Sequence, residues 1–564
     1  MRGPCGCCGP CGRQLCEHRH PAPYDVATCY DAPLPDLLYF VVILGPWGTG
    51  DGTMRTHRFV SGTHRRLSCK FWFGLHLSAL ILLFDPATVH AQTQRKSVTD
   101  LTATELMSLR RGVANMMARN SAPRGSANFR RSWIYWANMH DHFGDDCEGP
   151  IVGTGMGGVQ TFIASNADET ATWCRCEHGT VQFLTWHRMY LWYFERVLQE
   201  AAGDPSLRLP YWDYETEAHL PAAYRDATYV NEQGQTVPNP LRVSARRPSL
   251  NNGTGALSSF VTSTATAMTD TTFNPFNSDL EQTPHGNVHC AITTGGCPNG
   301  GLMGSVPAAA LDPIFYAHHT NIDRLYECWL QGDEPGRLPS DATQLNTVFT
   351  FVDADGSTVD RRVSDMLTTT QLGYTYAAGG GCPPSLAQAS RAAENRPMAP
   401  VPEQVLASVG PTRLDPTVTT VPLAMSPQGR QALVAQRQGV PTSSRTYVTI
   451  EGLQYDEAPG VLYNVFLRGA GEKREQIGVI NFFGLSSSRS ADHTGRAGHL
   501  RTRGSFRFDI TDAVKQLDIS GDAPLSLVFE PTTGLSDSSP ETVAREVNPQ
   551  ASVRFESAQL VTAR

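Results

Sequence analysis

Six histidines set the main constraint on this 564-residue chain: they fall into two groups of three, one along 140–187 and one along 285–319. The groups are marked by His178-x8-His187, by His285-x3-His289 and by His319 further on. Imidazoles delivered in threes, with no carboxylate or thiolate completing either set, suit copper better than zinc or magnesium. A fold that uses them must bring distant segments together with their rings converging. His285 and His289 are one helical turn apart, so on a helix both project from one face toward a single ion. Such a pair alone is also found on solvated or structural helix faces, and it gains meaning only beside the others. His140 and His319 stand in helical context on the correct sides in sequence to complete the two sets.

A composition of 18% charged and 40% hydrophobic residues is ordinary for soluble globular protein, and the length allows two or three domains. The net charge of −8 leaves no polybasic surface, which argues against nucleic acid and anionic membranes as partners. The 38 prolines and 50 glycines point to a loop-rich protein.

Residues 64–91 read HRRLSCKFWFGLHLSALILLFDPATVHA: a basic stretch, an apolar run from Phe71 to Phe84, then Val89-x-Ala91 as a small-residue cleavage pattern. This is the make-up of an export signal cut near Ala91. The run is short for a bilayer span, and a buried helix or an anchor is the rival reading. Arg65–Arg66 permits twin-arginine export of a folded, metal-loaded protein to a periplasmic or extracellular location, with no membrane attachment after cleavage. Met54 starts a signal of normal proportions, so 54–91 is read as the signal and 1–53 as an extension outside the mature protein. Cys5, Cys7, Cys8, Cys11 and Cys16 crowd that extension near His18 and His20; a zinc site is the rival reading, but no regular pair meets a partner pair. Seven cysteines then remain (Cys147, Cys174, Cys176, Cys290, Cys297, Cys328 and Cys382), an odd number that asks for an explanation in an exported protein.

Residues 99–118 and 130–142 read as helices, and 183–202 as a strong one, its apolar positions recurring every three to four residues. Residues 144–177 and 219–275 read as loops. Helical pattern returns at 281–290 and 313–330, and 345–376 reads as short strands and turns. Residues 378–444, rich in Gly, Pro, Ala, Ser and Gln, read as linker. After Arg445, six or more short alternating runs predict a small antiparallel sandwich or barrel.

The stretch His178-x4-Phe183-Leu-x-Trp186-His187-Arg188-x2-Leu191-x3-Glu195 resembles the first-copper signature of the tyrosinase, catechol oxidase (polyphenol oxidase) and molluscan haemocyanin family of type-3 dicopper proteins. Asp312-Pro313-x-Phe315-Tyr316-x2-His319-x3-Asp323 resembles its second-copper signature, and Tyr374-x-Tyr376 the motif that closes the copper domain in plant and fungal members. The resemblance implies a mainly α copper domain at 92–377, built as an antiparallel four-helix bundle with long loops, followed by the β domain at 445–564. It assigns His140, His178 and His187 to the first of two copper ions and His285, His289 and His319 to the second. His142 competes with His140, which the Ala-Asn-Met-His140 segment favours. His318 and His219 are left as structural histidines.

The resemblance also implies a thioether between Cys176 and His178, which would consume the odd cysteine; a disulfide or a free thiol is the alternative. Cys290–Cys297 is a plausible disulfide among the rest. Glu281 stands where relatives carry a glutamate that orients a water near the second copper and can accept a phenol proton; a carboxylate that only complements a helix dipole is the plainer role. Asp323 is expected to orient His319 from the second shell of ligands. At the substrate entrance, Gly286 replaces the asparagine of many strong monophenolases, with Asn287 one place later, and Val306 replaces a phenylalanine of plant enzymes and so widens the entrance. Phe506-Arg-Phe508-Asp509-Ile510 resembles a motif of the plant polyphenol oxidase C-terminal domain, which shields the copper site; a plain stabilising or carbohydrate-binding β domain is the alternative.

The expected activity is oxidation of a small phenolic substrate, an o-diphenol going to an o-quinone with O2 as co-substrate, with ortho-hydroxylation of monophenols as an added activity. An o-aminophenol oxidase and a haemocyanin-like oxygen carrier are the rivals, and a degenerate copper domain acting as a structural module is a third.

Overall fold

The computed structural model describes residues 93–142, 163–298, 300–331, 337–382, 403–438, 445–469, 471, 473–487, 503–517 and 525–563, all within one compact unit, Phe84–Arg564. The extension 1–53, the signal 54–91 and Cys147 lie outside the described residues. Among the described residues no helix is long and apolar enough to cross a membrane.

Helices dominate the first part. Helix α1 (Ala103–Ala118) starts at a reciprocal cap: Thr102 Oγ1 accepts from the Glu105 amide at 3.2 Å, and the Glu105 carboxylate accepts from the Thr102 amide at 2.8 Å. Helix α2 (Trp133–His140) is capped by Ser132. Helix α3 (Phe183–Ala202) is apolar or buried on nearly every face, as its aromatic pattern requires, and packs against α1. Helix α4 (Phe273–Leu280) runs through a widened turn, Glu281–Gly286, into α5 (Asn287–Ile292), and α6 (Ile314–Leu330) packs on α3.

A buried charge network ties these helices to the chain's first strand. Strand β1 (Thr93–Arg95) pairs in parallel with β2 (Tyr374–Tyr376). Asp323 of α6 accepts from Arg188 Nε at 2.5 Å, from the Tyr374 and Tyr376 hydroxyls at 2.5 and 2.6 Å, and from Arg95 Nη1 at 3.4 Å. Arg95 Nε also donates to Glu195 of α3 at 2.9 Å. Burial opposes the Asp323 charge, but Arg188, Arg95 and the two hydroxyls hold its carboxyl below the usual range. Asp323 therefore does not orient His319, as its spacing suggested; two guanidiniums and two phenols outcompete an imidazole for it. Asp323→Ala is expected to cost about 3–5 kcal/mol in urea unfolding, because it strands buried arginine charge. A depressed folded-state pKa gives stability that is present above the usual carboxylate range and lost as pH falls through the folded value, so the variant should lack that acid-side loss.

The second part is β. A five-stranded antiparallel sheet runs in the order β5-β3-β11-β6-β9, with β3 Gln404–Val409, β5 Ala424–Met425, β6 Arg445–Leu453, β9 Gly504–Asp509 and β11 Ser557–Ala563. A four-stranded antiparallel sheet runs β8-β7-β10-β4, with β4 Thr419–Pro422, β7 Leu462–Arg468, β8 Arg474–Ile480 and β10 Ser526–Thr532. Side chains of both sheets, such as Val448, Phe508, Val465 and Phe529, share one apolar core. The span 378–444 is therefore not all linker. Strands β3, β4 and β5 and a helix, Pro427–Arg437, lie inside it, so the sheet-forming part begins at Gln404.

Candidate metal centre

Local structure aims the imidazoles inward. His140 ends α2, whose last carbonyls need partners. The segment 174–176 supplies them: the Cys174, Arg175 and Cys176 amides donate to Asn138, Met139 and His140 at 3.0, 3.2 and 3.3 Å. That lays Cys176 and His178 beside His140. On α3, His187 Nδ1 donates to the Phe183 carbonyl at 2.7 Å. In the widened turn Thr283 leaves helical geometry and Pro284 has no amide to donate, and His285 Nδ1 donates to the Glu281 carbonyl at 2.9 Å. His289 Nδ1 donates to the Met303 carbonyl at 2.7 Å. Each bond protonates Nδ1 and leaves the Nε2 lone pair for the cavity.

The six rings converge. Centroids of His140, His178 and His187 lie 5.2–5.7 Å apart, those of His285, His289 and His319 lie 4.7–5.5 Å apart, and His187 stacks on His319 at 4.5 Å. None is more than 2% exposed. Burial pushes His187 and His289 down to about 3 and holds His285 and His319 well below the usual value, which keeps these rings neutral. His187 Nε2 and His285 Nε2 are buried without a hydrogen-bond partner, and the Nε2 atoms of His289 and His319 face each other at 3.3 Å. Converging buried lone pairs of this kind fit a pair of cations held by nitrogen.

Donor atoms within 4.8 Å of one another form three overlapping groups: His140, His187 and His319; His140, Cys176 and His178; and His285, His289, His318 and His319. His318, left by the sequence as a structural histidine, thus borders the second set. Its ring lies parallel to His285 at 5.5 Å and edge-on to His289 at 4.9 Å. The His-His pair on α6 was the available signal, since consecutive helical residues can line one cavity. His142 turns away, its Nδ1 3.0 Å from Cys174 Sγ. His219 is half-exposed and pairs with Glu217 at 2.9 Å.

Cys290 is bonded to Cys297 and Cys328 to Cys382, Cys174 is also in a disulfide, and Cys176 is buried and outside these disulfides. Buried Glu281 accepts from the Gly179 amide at 2.6 Å, so its carboxylate joins the turn after His178 to the turn before His285.

The ring over the second set comes from the β part. Phe483, in the turn after β8, stacks on His289 at 3.9 Å and meets His285 and His178 edge-on at 5.4 and 5.6 Å. Asn481 anchors this turn: its Nδ2 donates to Asn287 Oδ1 at 2.8 Å and to the Gln282 carbonyl at 3.0 Å. A Cβ on Gly286 would sit 2.7 Å from Asn481 Oδ1, so the glycine makes room for Asn481. Asn287 also donates to Thr283 at 3.1 Å. Val306 is buried at the start of a short helix, Val306–Ala309, packed on α2. Neither Phe483 nor Asn481 was singled out from sequence.

A second contact holds the β part in place. Arg507 of β9 donates to Asp279 of α4 at 2.6 and 2.9 Å and pairs with Asp270. Burial raises both carboxyls, repulsion from Asp279 adds to the rise at Asp270, and Arg507 opposes both.

The family model described as the common central domain of tyrosinase matches residues 130–257 and 243–332, and that described as the polyphenol oxidase middle domain matches 339–381. Tyrosinase HcTyr1 of Hahella sp. (strain CCB-MM4) is 27% identical over 467 residues, covering 75% of this chain and 91% of that protein. Catechol oxidase B, chloroplastic, of Solanum tuberosum is 26% identical over 399 residues, covering 63% of this chain and 64% of that protein. The chain thus spans less than two thirds of that plant relative. Among solved structures, a latent aurone synthase (polyphenol oxidase) superposes with a TM-score of 0.52 at 16% identity, covering 84% of this chain and 89% of that one. Latent apple tyrosinase gives 0.50 at 19% identity, covering 84% and 97%. Both share the fold of a helical core followed by a β domain. The chain belongs to the tyrosinase and polyphenol oxidase family, whose members are enzymes with a dinuclear copper centre.

Proposed function

We propose that this chain is an exported phenol oxidase that converts o-diphenols to o-quinones with O2 reduced to water, and that its C-terminal β domain keeps it latent. The observation that carries the proposal is the stack of Phe483 on His289, over six converging buried imidazoles. We read the ligand-bearing helices as the antiparallel four-helix arrangement of the family. In this reading His140, His178 and His187 hold one copper ion and His285, His289 and His319 the other. The ions supply electron transfer between phenol and O2: each diphenol gives up two electrons and two protons, and two such oxidations reduce one O2 to two waters.

The chain's own residues orient, exclude water and accept protons. Nδ1 bonds to Phe183, Glu281 and Met303 fix three of the rings. A thioether from Cys176 would fix His178: the Sγ–H and one ring C–H are lost as the C–S bond forms, O2 takes up the two electrons and two protons, and intact-protein mass falls by two hydrogens. Glu281 lies between the two sets and is the proton acceptor we assign to an entering phenol. A phenol ring would take the place that Phe483 occupies, flat against His289, so the intact chain is closed to substrate.

The test is a protease site introduced between Cys382 and Glu403, which frees every strand of the two large sheets. Oxygen uptake with catechol and with a monophenol is followed before and after cleavage of the copper-loaded chain. Catechol turnover that rises at least about 10-fold on cleavage is expected, since covering a site with a well-packed aromatic is worth about 1.5–3 kcal/mol. Reversible oxygen binding without turnover in the cleaved protein would instead favour an oxygen carrier.

A further inference from the structure

We infer that the Cys290–Cys297 disulfide is a positioning element for the second metal set, acting through His289. This rests on the copper reading above and goes beyond it, because it separates the two sets by what holds them. His187 and His285 lean on carbonyls four residues back in their own helical segments. His289 instead uses the Met303 carbonyl, from the loop that follows α5. Helix α5 ends at Ile292, so nothing helical fixes that carbonyl.

The loop is held by its own cross-link and a ladder of backbone bonds. Cys290 and Cys297, both buried, close it covalently. The Gly300 amide donates to Gly296 at 2.8 Å and the Gly304 amide to Gly300 at 3.0 Å, which carries the chain from the disulfide to Met303. A Cβ on Gly304 would lie 2.4 Å from the Gly300 carbonyl oxygen, so this path is too tight for a side chain. Arg247 fastens the other limb, donating from its amide to Ile292 at 2.8 Å and from Nε to Ala291 at 2.9 Å. Opening the disulfide frees the ladder at Gly296, and with it the Met303 carbonyl that holds His289 Nδ1. The ring can then turn its Nε2 away from the cavity.

The consequence is order in metal loading. A reduced chain fills the first set and holds the second weakly, so complete loading follows disulfide formation in an oxidising compartment.

The experiment is a copper titration of the full metal-free chain, followed by bound metal per chain and by the paramagnetic signal of a lone cupric ion. Wild type, Cys290→Ser/Cys297→Ser and, as a control at a remote disulfide, Cys328→Ser/Cys382→Ser are compared. Loss of a group that orients a ligand weakens metal binding about 10–100-fold. The 290/297 variant should show that loss for one ion only and accumulate the lone-ion signal, while the control matches wild type. Cys290→Ala/Cys297→Ala repeats the test with apolar replacements, and thermal melting of each metal-free protein reports folding. Unchanged binding of both ions in the folded 290/297 variants, equal weakening of both, or failure of both variants to fold would overturn the inference. Wild type that binds no copper would contradict the copper reading itself.

Discussion

Replacing Phe483 with alanine in the intact, copper-loaded chain is expected to raise kcat/KM for catechol about 10- to 100-fold. The ring lies flat on His289 at 3.9 Å and touches two further histidines edge-on, so it competes for the surface a phenol needs. Burial of a phenylalanine side chain is worth about 1.5–3 kcal/mol, and each 1.4 kcal/mol is a factor of ten in occupancy. An intramolecular competitor acts at the binding step, so the gain should fall mainly in KM. After cleavage before Glu403 the variant and wild type should match, because Phe483 leaves with the β domain. An intact Phe483→Ala chain as inactive as wild type, with both active after cleavage, would show that the rest of the domain blocks the site without the ring.

Arg507→Glu is expected to undock the β domain without touching the plug. Arg507 pairs with both the buried Asp270 and Asp279 carboxyls. A glutamate there removes that cation and adds a like charge. Removing one member of a desolvated charge pair costs about 2–5 kcal/mol, and 2.8 kcal/mol of that is a factor of about 100 in the docking equilibrium. Catechol turnover by the uncleaved variant should rise, with faster proteolysis of the β part. Arg445→Glu is the control: Arg445 is half-exposed and pairs with Asp509 of its own sheet, at 2.6 Å. Equal effects from both variants would show that general loosening of the β part, and not the Asp270–Asp279 contact, sets latency.

The imidazoles were legible in the sequence because their geometry is local. His285 and His289 share a helix face, and the aromatic periodicity around His187 belongs to a helix buried on nearly every side. What was missed comes from long-range contact. Phe483 and Asn481 reach the site from a turn far along the chain, in a Phe-Phe-Gly segment that reads as the end of a strand. Gly286 looked like a lost asparagine; it is the space that Asn481 fills. The segment read as linker hides sheet edges: β4 and β5 are the outermost strands of their sheets, and short edge strands tolerate Pro422 and polar residues that demote a central strand. Asp323 kept its place one turn after His319 but found stronger partners in Arg188, Arg95 and two tyrosines, which no spacing rule reveals.

The central claim is that six buried imidazoles hold two copper ions beneath Phe483. Diffraction from crystals of the intact, copper-loaded chain, recorded at the copper absorption edge, tests it most directly. The account predicts two anomalous peaks, one among His140, His178 and His187 and one among His285, His289 and His319, with the Phe483 ring over the second. A single peak, a second ion ligated by His318 in place of His319, or a Phe483 ring away from His289 would contradict it.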